Sequence, residues 1–141
     1  MSESSIQSKV KSIRWYRRLH KWIGIPLILF FLLIGITSIL LAWKKKADLL
    51  PPTLKTKVEN GVWILPSEMV KIGEEEMQKL GKDPEVDRID IRPDKGIAKV
   101  TFKTHFTEVQ VDGLSGEVLS IETRHSDWIE KVHDGSIIDF Y

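Results

Sequence analysis

The chain of 141 residues contains no cysteine. That excludes disulfides, thiolate nucleophiles, cysteine zinc sites and cysteine-held iron–sulfur clusters. No glycine-rich nucleotide fingerprint, phosphate loop, GxSxG elbow or HExxH helix occurs. The histidines are His20, His105, His125 and His133, and no two have the HxxxH spacing of a helical metal pair. No internal repeat or low-complexity tract is present. The most telling absence is local. From Trp22 to Trp43, 22 consecutive residues carry no charge.

The charges are segregated around that gap. Residues 1–50 carry nine Lys and Arg against two acidic residues, and residues 51–141 carry twelve against eighteen. A formal net charge of +1 therefore conceals a basic half of +7 and an acidic half of −6. A single globular domain is excluded. About 90 residues remain for one small domain.

At a rise of about 1.5 Å per residue, the uncharged run spans roughly 33 Å as a helix, matching a hydrocarbon core of about 30 Å. Trp15, Tyr16 and Trp22 mark one interface and Trp43 the other. Pro26 is expected in the first turn of the buried stretch, where its missing N–H costs least. A cleavable signal peptide fits less well. The run exceeds the usual apolar core, and Lys44, Lys45 and Lys46 follow it with no small-residue cleavage site. The interface set is Arg14, Trp15, Arg17, Arg18, Lys21, Trp22, Trp43, Lys44, Lys45 and Lys46. Six basic residues before the run against three after it orient the N-terminus inside. The basic flank suits anionic headgroups better than nucleic acid, because it abuts the span.

The expected organisation is a basic, disordered tail over 1–13, a transmembrane helix with its flanks over 14–46, a stiff linker over 47–57, an α+β domain over 58–124, and a C-terminal helix and tail over 125–141. Asn60-Gly61 interrupts a possible short strand between Val58 and Leu65. Ser67 reads as the cap of a helix that places Met69, Val70, Ile72, Met77 and Leu80 on one stripe and Glu74, Glu75 and Glu76 outward, with Gly81 as its stop. From Val86 the period changes to two. Three to four antiparallel strands are predicted, turning at Pro93–Gly96 and Asp112–Gly116, with one apolar face for the helix to cover. The carboxylates on the other face are expected in solvent. A last helix, Ser126 to His133, is read with Ser126 as its cap and with Trp128, Ile129 and Val132 on one side.

Four pieces together resemble the PepSY-associated transmembrane family. They are Arg18-Leu19-His20-Lys21-Trp22-Ile23-Gly24, Gly35-Ile36-Thr37-Ser38-Ile39-Leu40-Leu41, Val109-Gln110-Val111-Asp112-Gly113-Leu114-Ser115-Gly116-Glu117-Val118, and Trp128-Ile129-Glu130-Lys131-Val132-His133-Asp134-Gly135-Ser136. The resemblance covers about residues 14–136. It implies a bacterial inner-membrane protein with a cytoplasmic N-terminus and a small periplasmic α+β PepSY domain. It implies a non-enzymatic accessory module whose partners are the bilayer and a membrane or periplasmic protein. Some relatives are haem-containing ferric reductases in iron or siderophore uptake. The alternative is therefore a subunit or fragment of a haem b reductase with His20 and His133 as axial ligands. The blander readings are an interfacial His20 and a helix C-terminal His133 favoured by the dipole. With a single crossing the two lie on opposite sides of about 30 Å of bilayer and cannot hold one haem. The family pattern continues past this chain into at least one more helix, so a truncated or single-pass member is expected. For the chain alone no cofactor is expected.

Overall fold

A computed structural model describes residues 3–140. The chain divides into two compact units, Met1–Ile39 and Leu40–Tyr141. Met1, Ser2 and Tyr141, which belong to the expected terminal tails, lie outside the described residues.

The described residues of the first unit belong to one helix, α1, Glu3–Ala42, whose last three residues fall in the second unit. Its segment Lys9–Ala42 is long and apolar enough to cross a membrane, and it is the one such helix among the described residues. The helix begins eleven residues before the expected boundary at Arg14. Extending an existing helix through Ser, Gln and Lys costs little, whereas nucleating one does not. Pro26 lies four residues into the uncharged run, as expected, but α1 starts at Glu3, so the proline sits well inside the helix and not where its missing N–H costs least. There it removes one backbone donor, a loss that a membrane helix can accommodate by local adjustment. The apolar side chains point outward: Trp22 is 74%, Phe31 66% and Ile28 66% exposed. The two hydroxyls in the run are satisfied within the helix. Thr37 donates to the carbonyls of Leu33 (2.9 Å) and Ile34 (3.0 Å), and Ser38 donates to Ile34 (2.7 Å).

The second unit has α+β architecture. Helix α2, Pro66–Lys79, precedes β1 (Val86–Arg92), β2 (Ile97–Phe102), β3 (Thr107–Asp112) and β4 (Val118–Thr123). The strands form an antiparallel meander in the order β1-β2-β3-β4, and α3, His125–Asp134, follows. Ser67 does not cap α2. Leu65 is the cap residue and Pro66 opens the helix, with its fixed φ preorganised for the first turn. The Glu68 carboxylate accepts the Leu65 N–H at 3.3 Å, half of a capping box. Gly81 ends the helix as expected. At φ +67° it donates to the Gln78 carbonyl (2.9 Å), and Lys82 donates to that of Met77 (3.0 Å). Ser126 likewise lies inside α3, whose cap residue is Arg124. Trp128 faces outward at 53% exposure, while Ile129 is buried. No strand forms between Val58 and Leu65; one bond, from the Ile64 N–H to the Gly113 carbonyl, ties that segment down.

Strand register makes one row of Ile89, Val100, Val109 and Ile121 across the sheet. Met69 and Met77 of α2 pack on this face with Ala98, Val100, Phe102, Val109 and Val111, all essentially inaccessible. The opposite face departs from expectation. β2 and β3 are buried at every position. The reason is the segment after the apolar helix, expected as a linker, which lies across the sheet. Gln110 clasps it, accepting the Leu54 N–H (3.0 Å) and donating to the Pro52 carbonyl (2.8 Å). The Thr56 hydroxyl donates to Asp112 (2.7 Å), and the Ser126 N–H donates to the Leu49 carbonyl (2.9 Å). Gly96 lets Thr56 come close. Its φ is +68°, and a Cβ there would meet Thr56 Cγ2 at 2.4 Å.

Candidate functional site

The strapped face carries two polar rows, Arg88–Thr101–Glu108–Glu122 and Asp90–Lys99–Gln110–Ser120. Alternation of period two put these side chains on one face; the members on β2 and β3 are buried, while Arg88, Asp90 and Glu122 on the outer strands remain open to solvent. Glu108 is at the centre, with its side chain fully buried. It accepts from Lys99 Nζ (2.8 Å), from Gln110 Nε2 (2.9 Å) and from the Arg124 guanidinium. Arg124 also donates through Nε to Asp127 at 2.8 Å, and Arg88 bridges Asp127 (3.4 Å) and Asp87 (2.6 Å). Burial acts to lower the affinity of Arg124 for its proton, but the bonds to Asp127 and Glu108 outweigh it and hold the guanidinium charged. A buried carboxylate is tolerated only with such pairing.

At the edge of this network Asp112 fastens both strap and turn. One carboxylate oxygen takes the Thr56 hydroxyl; the other accepts the N–H groups of Leu114 (2.9 Å) and Ser115 (3.2 Å). Burial pushes its pKa up, yet these donors outweigh burial and leave it below the ordinary 3.8.

A cleft of about 1190 Å³ opens beside the network. The strap residues Leu50–Thr53 form one side, and the polar face of β1 and β2 forms another. Arg88 and Arg92 line it from β1, Lys95 from the following turn, and Lys44 and Lys45 from the chain just beyond the apolar run. Arg92 is held by Asp90 through Nε (3.0 Å) and Nη2 (2.7 Å).

Of the residues singled out in the sequence, Lys44 and Lys45 line this cleft and the others fall elsewhere. Arg14, Trp15, Arg17, Arg18, Lys21 and Trp22 are exposed on α1, where the rings of Trp15 and Tyr16 meet edge-on at 5.3 Å. Trp43, Lys45 and Lys46 are also exposed, and Lys44 is half-buried. His20 lies on α1 beside Tyr16, Arg17 and Lys21. His133 is half-buried in the last turn of α3, in the other unit. Asp134 and Ser136 close that turn. Asp134 accepts the Ser136 N–H at 2.9 Å, around Gly135 at φ +81°. The Ser136 hydroxyl and N–H hold the Asp134 pKa below its ordinary value. The His-Asp-Gly-Ser run thus has a helix-terminating role. His20 is the only histidine of the first unit, so that unit does not itself assemble a bis-histidine haem site. Among the described residues no group of three or more His, Asp or Glu could hold a metal ion.

Sequence reasoning missed Glu108, Lys99 and Gln110, which read as solvent-facing strand residues. One signal was available: Leu49, Leu50 and Leu54 around Pro51-Pro52 form an apolar stretch that a solvated linker does not need. Compared with protein-family models, curated proteins and solved structures, the chain shows no match.

Proposed function

We propose that this protein is a membrane-anchored binding module of the PepSY-associated type, without catalytic chemistry of its own. α1 crosses a bacterial inner membrane once. The N-terminus is cytoplasmic, on the balance of six basic residues before the run to three after it. The domain beyond Trp43 works outside the cytoplasm and binds a membrane or periplasmic protein. The observation that carries this reading is the state of the buried charges. Lys99, Glu108, Arg124 and Asp127 neutralise one another in fixed pairs, which builds a rigid surface rather than a poised acid and base. The partner supplies an extended segment to an outer strand, β1 or β4, in the manner of strand addition.

The absence of cysteine makes the topology directly testable. Glu75→Cys, on the exposed face of α2, is expected to react with a membrane-impermeant maleimide in intact cells. Gln7→Cys is expected to react only after lysis; the reverse pattern overturns the orientation. For the binding role, a photo-crosslinking residue at Ile91 or Thr123 is expected to yield one dominant protein adduct in membranes. No adduct from either strand overturns the reading.

A further inference from the structure

We propose that the cleft beside the strap is a binding site for the phosphate of an anionic phospholipid headgroup. This goes beyond the protein-binding role and rests on the reading that α1 crosses a membrane. Residues 44–141, the range from which the lining is drawn, carry 15 Lys and Arg against 19 acidic residues, a net charge of −4, so a random lining would be acidic. The lining has instead seven Lys and Arg side chains against three carboxylates. Some of those cations are neutralised: Lys99 and Arg124 by the buried Glu108, Arg88 by Asp87 and Asp127, Arg92 by Asp90. Lys44, Lys45 and Lys95 are not. Among the described residues none of the three forms an ion pair. Asp48 and Glu122 line the same opening and, among the described residues, form no ion pair either, so three unpaired ammonium groups face two unpaired carboxylates, and the cationic surplus is stabilised by a shared anion. Arg92 leaves Nη1 unused by Asp90, a planar donor suited to a phosphate oxygen.

Chain connectivity selects the source of that anion. Lys44 and Lys45 follow Trp43, the last residue of the uncharged run, with nothing between. One rim of the cleft is therefore held within two residues of the bilayer boundary, where headgroup phosphate is concentrated. Lys95 comes from a turn about fifty residues further along, folded back onto the same opening. A cleft of about 1190 Å³ is wide enough for a headgroup and its glycerol.

The test uses the full chain in nanodiscs of phosphatidylcholine with and without phosphatidylglycerol, read by native mass spectrometry. Phosphatidylglycerol is expected to stay bound in preference to phosphatidylcholine. With about 1 kcal/mol per basic residue near an anionic surface, Lys95→Gln is expected to weaken retention about fivefold and Lys95→Glu about thirtyfold. Lys95 lies far in sequence from the membrane flank, so its loss leaves insertion intact, and circular dichroism verifies the fold of each variant. If Lys95→Glu misfolds, Lys95→Gln decides alone. Equal retention of the two lipids overturns the proposal, and so does retention indifferent to both Lys95 variants. Displacement of the lipid by inorganic phosphate at equal concentration assigns the cleft to a free anion and overturns the lipid source. A chain that binds phosphatidylglycerol but crosslinks to no protein loses the proposed binding role and keeps this one.

Discussion

The two units use the same kinds of residue in opposite ways. In α1, Leu, Ile, Phe and Trp point outward, with Phe31 66% exposed, while the two hydroxyls bond back into the helix. In the domain, Phe102 is 1% exposed and so are its apolar neighbours, yet Glu108, Gln110 and Asp112 are buried as deeply. The contrast separates two solvents. In lipid, apolar contact between side chains brings little gain, so a lone helix needs only an apolar surface and satisfied backbone. In water, burial drives the core, and any polar group taken inside must find partners.

The sharpest way to break the comparison is to change matched residues. Phe102→Ala is expected to destabilise the domain by about 3–5 kcal/mol through lost packing and a cavity. Phe31→Ala is expected to leave the domain's unfolding midpoint unchanged and the chain membrane-bound. Unfolding followed by tryptophan fluorescence in detergent, with carbonate extraction of membranes, reads both. Equal effects of the two substitutions would abolish the distinction.

Buried charge gives the next effect. Glu108→Ala leaves Lys99 and Arg124 without their shared counter-ion, and removing one partner of such a cluster costs about 3–5 kcal/mol. The exposed Glu75→Ala should stay within about 0.5 kcal/mol. A chemical-denaturation midpoint for Glu108→Ala matching that of Glu75→Ala would show that the network is not buried in solution. The converse experiment puts a charge where the first unit has none. Leu32→Arg, mid-run, is expected to oppose membrane insertion by about 2.5–3.5 kcal/mol, read as loss of the glycosylated or carbonate-resistant fraction.

The smallest effect is on pH. Asp112 has a depressed pKa in the folded chain, so its contribution to stability is complete well above the ordinary 3.8. That contribution disappears as pH falls through 3.8 toward the lower folded value. Thermal midpoints of the wild type should therefore fall across that acid window more steeply than those of Asp112→Asn. Parallel curves would remove Asp112 from the strap's fastening.

Much of the domain was legible from local pattern. The change of period at Val86 located the sheet, the turns at Pro93–Gly96 and Asp112–Gly116 separated its strands, and Met69 and Met77 were on the predicted stripe. Caps were less legible. Ser67 and Ser126 have the right chemistry, but Pro66 and Arg124 open or precede the helices one residue or more earlier. The candidate site was legible only through the apolar Leu49, Leu50 and Leu54 of the strap. Lys99, Glu108 and Gln110 occupy alternate strand positions, as solvated residues would, and nothing local distinguishes a face open to water from one covered by a distant segment.

The amino-acid sequence by itself determined the uncharged helix, the segregation of charge around it and the order of helix and strands. These depend on runs and periods read along the chain, where each residue's neighbours are already known. Only the tertiary structure decided that residues 49–56 lie over the sheet, that Glu108 is buried between two cations, and that Lys44, Lys45 and Lys95 share one cleft. The strap and cleft facts join residues about fifty or more positions apart, and Glu108 meets its cations 9 and 16 positions away on other elements. Their burial depends on which segment closes over which face, a choice settled by packing and hydrogen bonding across the whole domain.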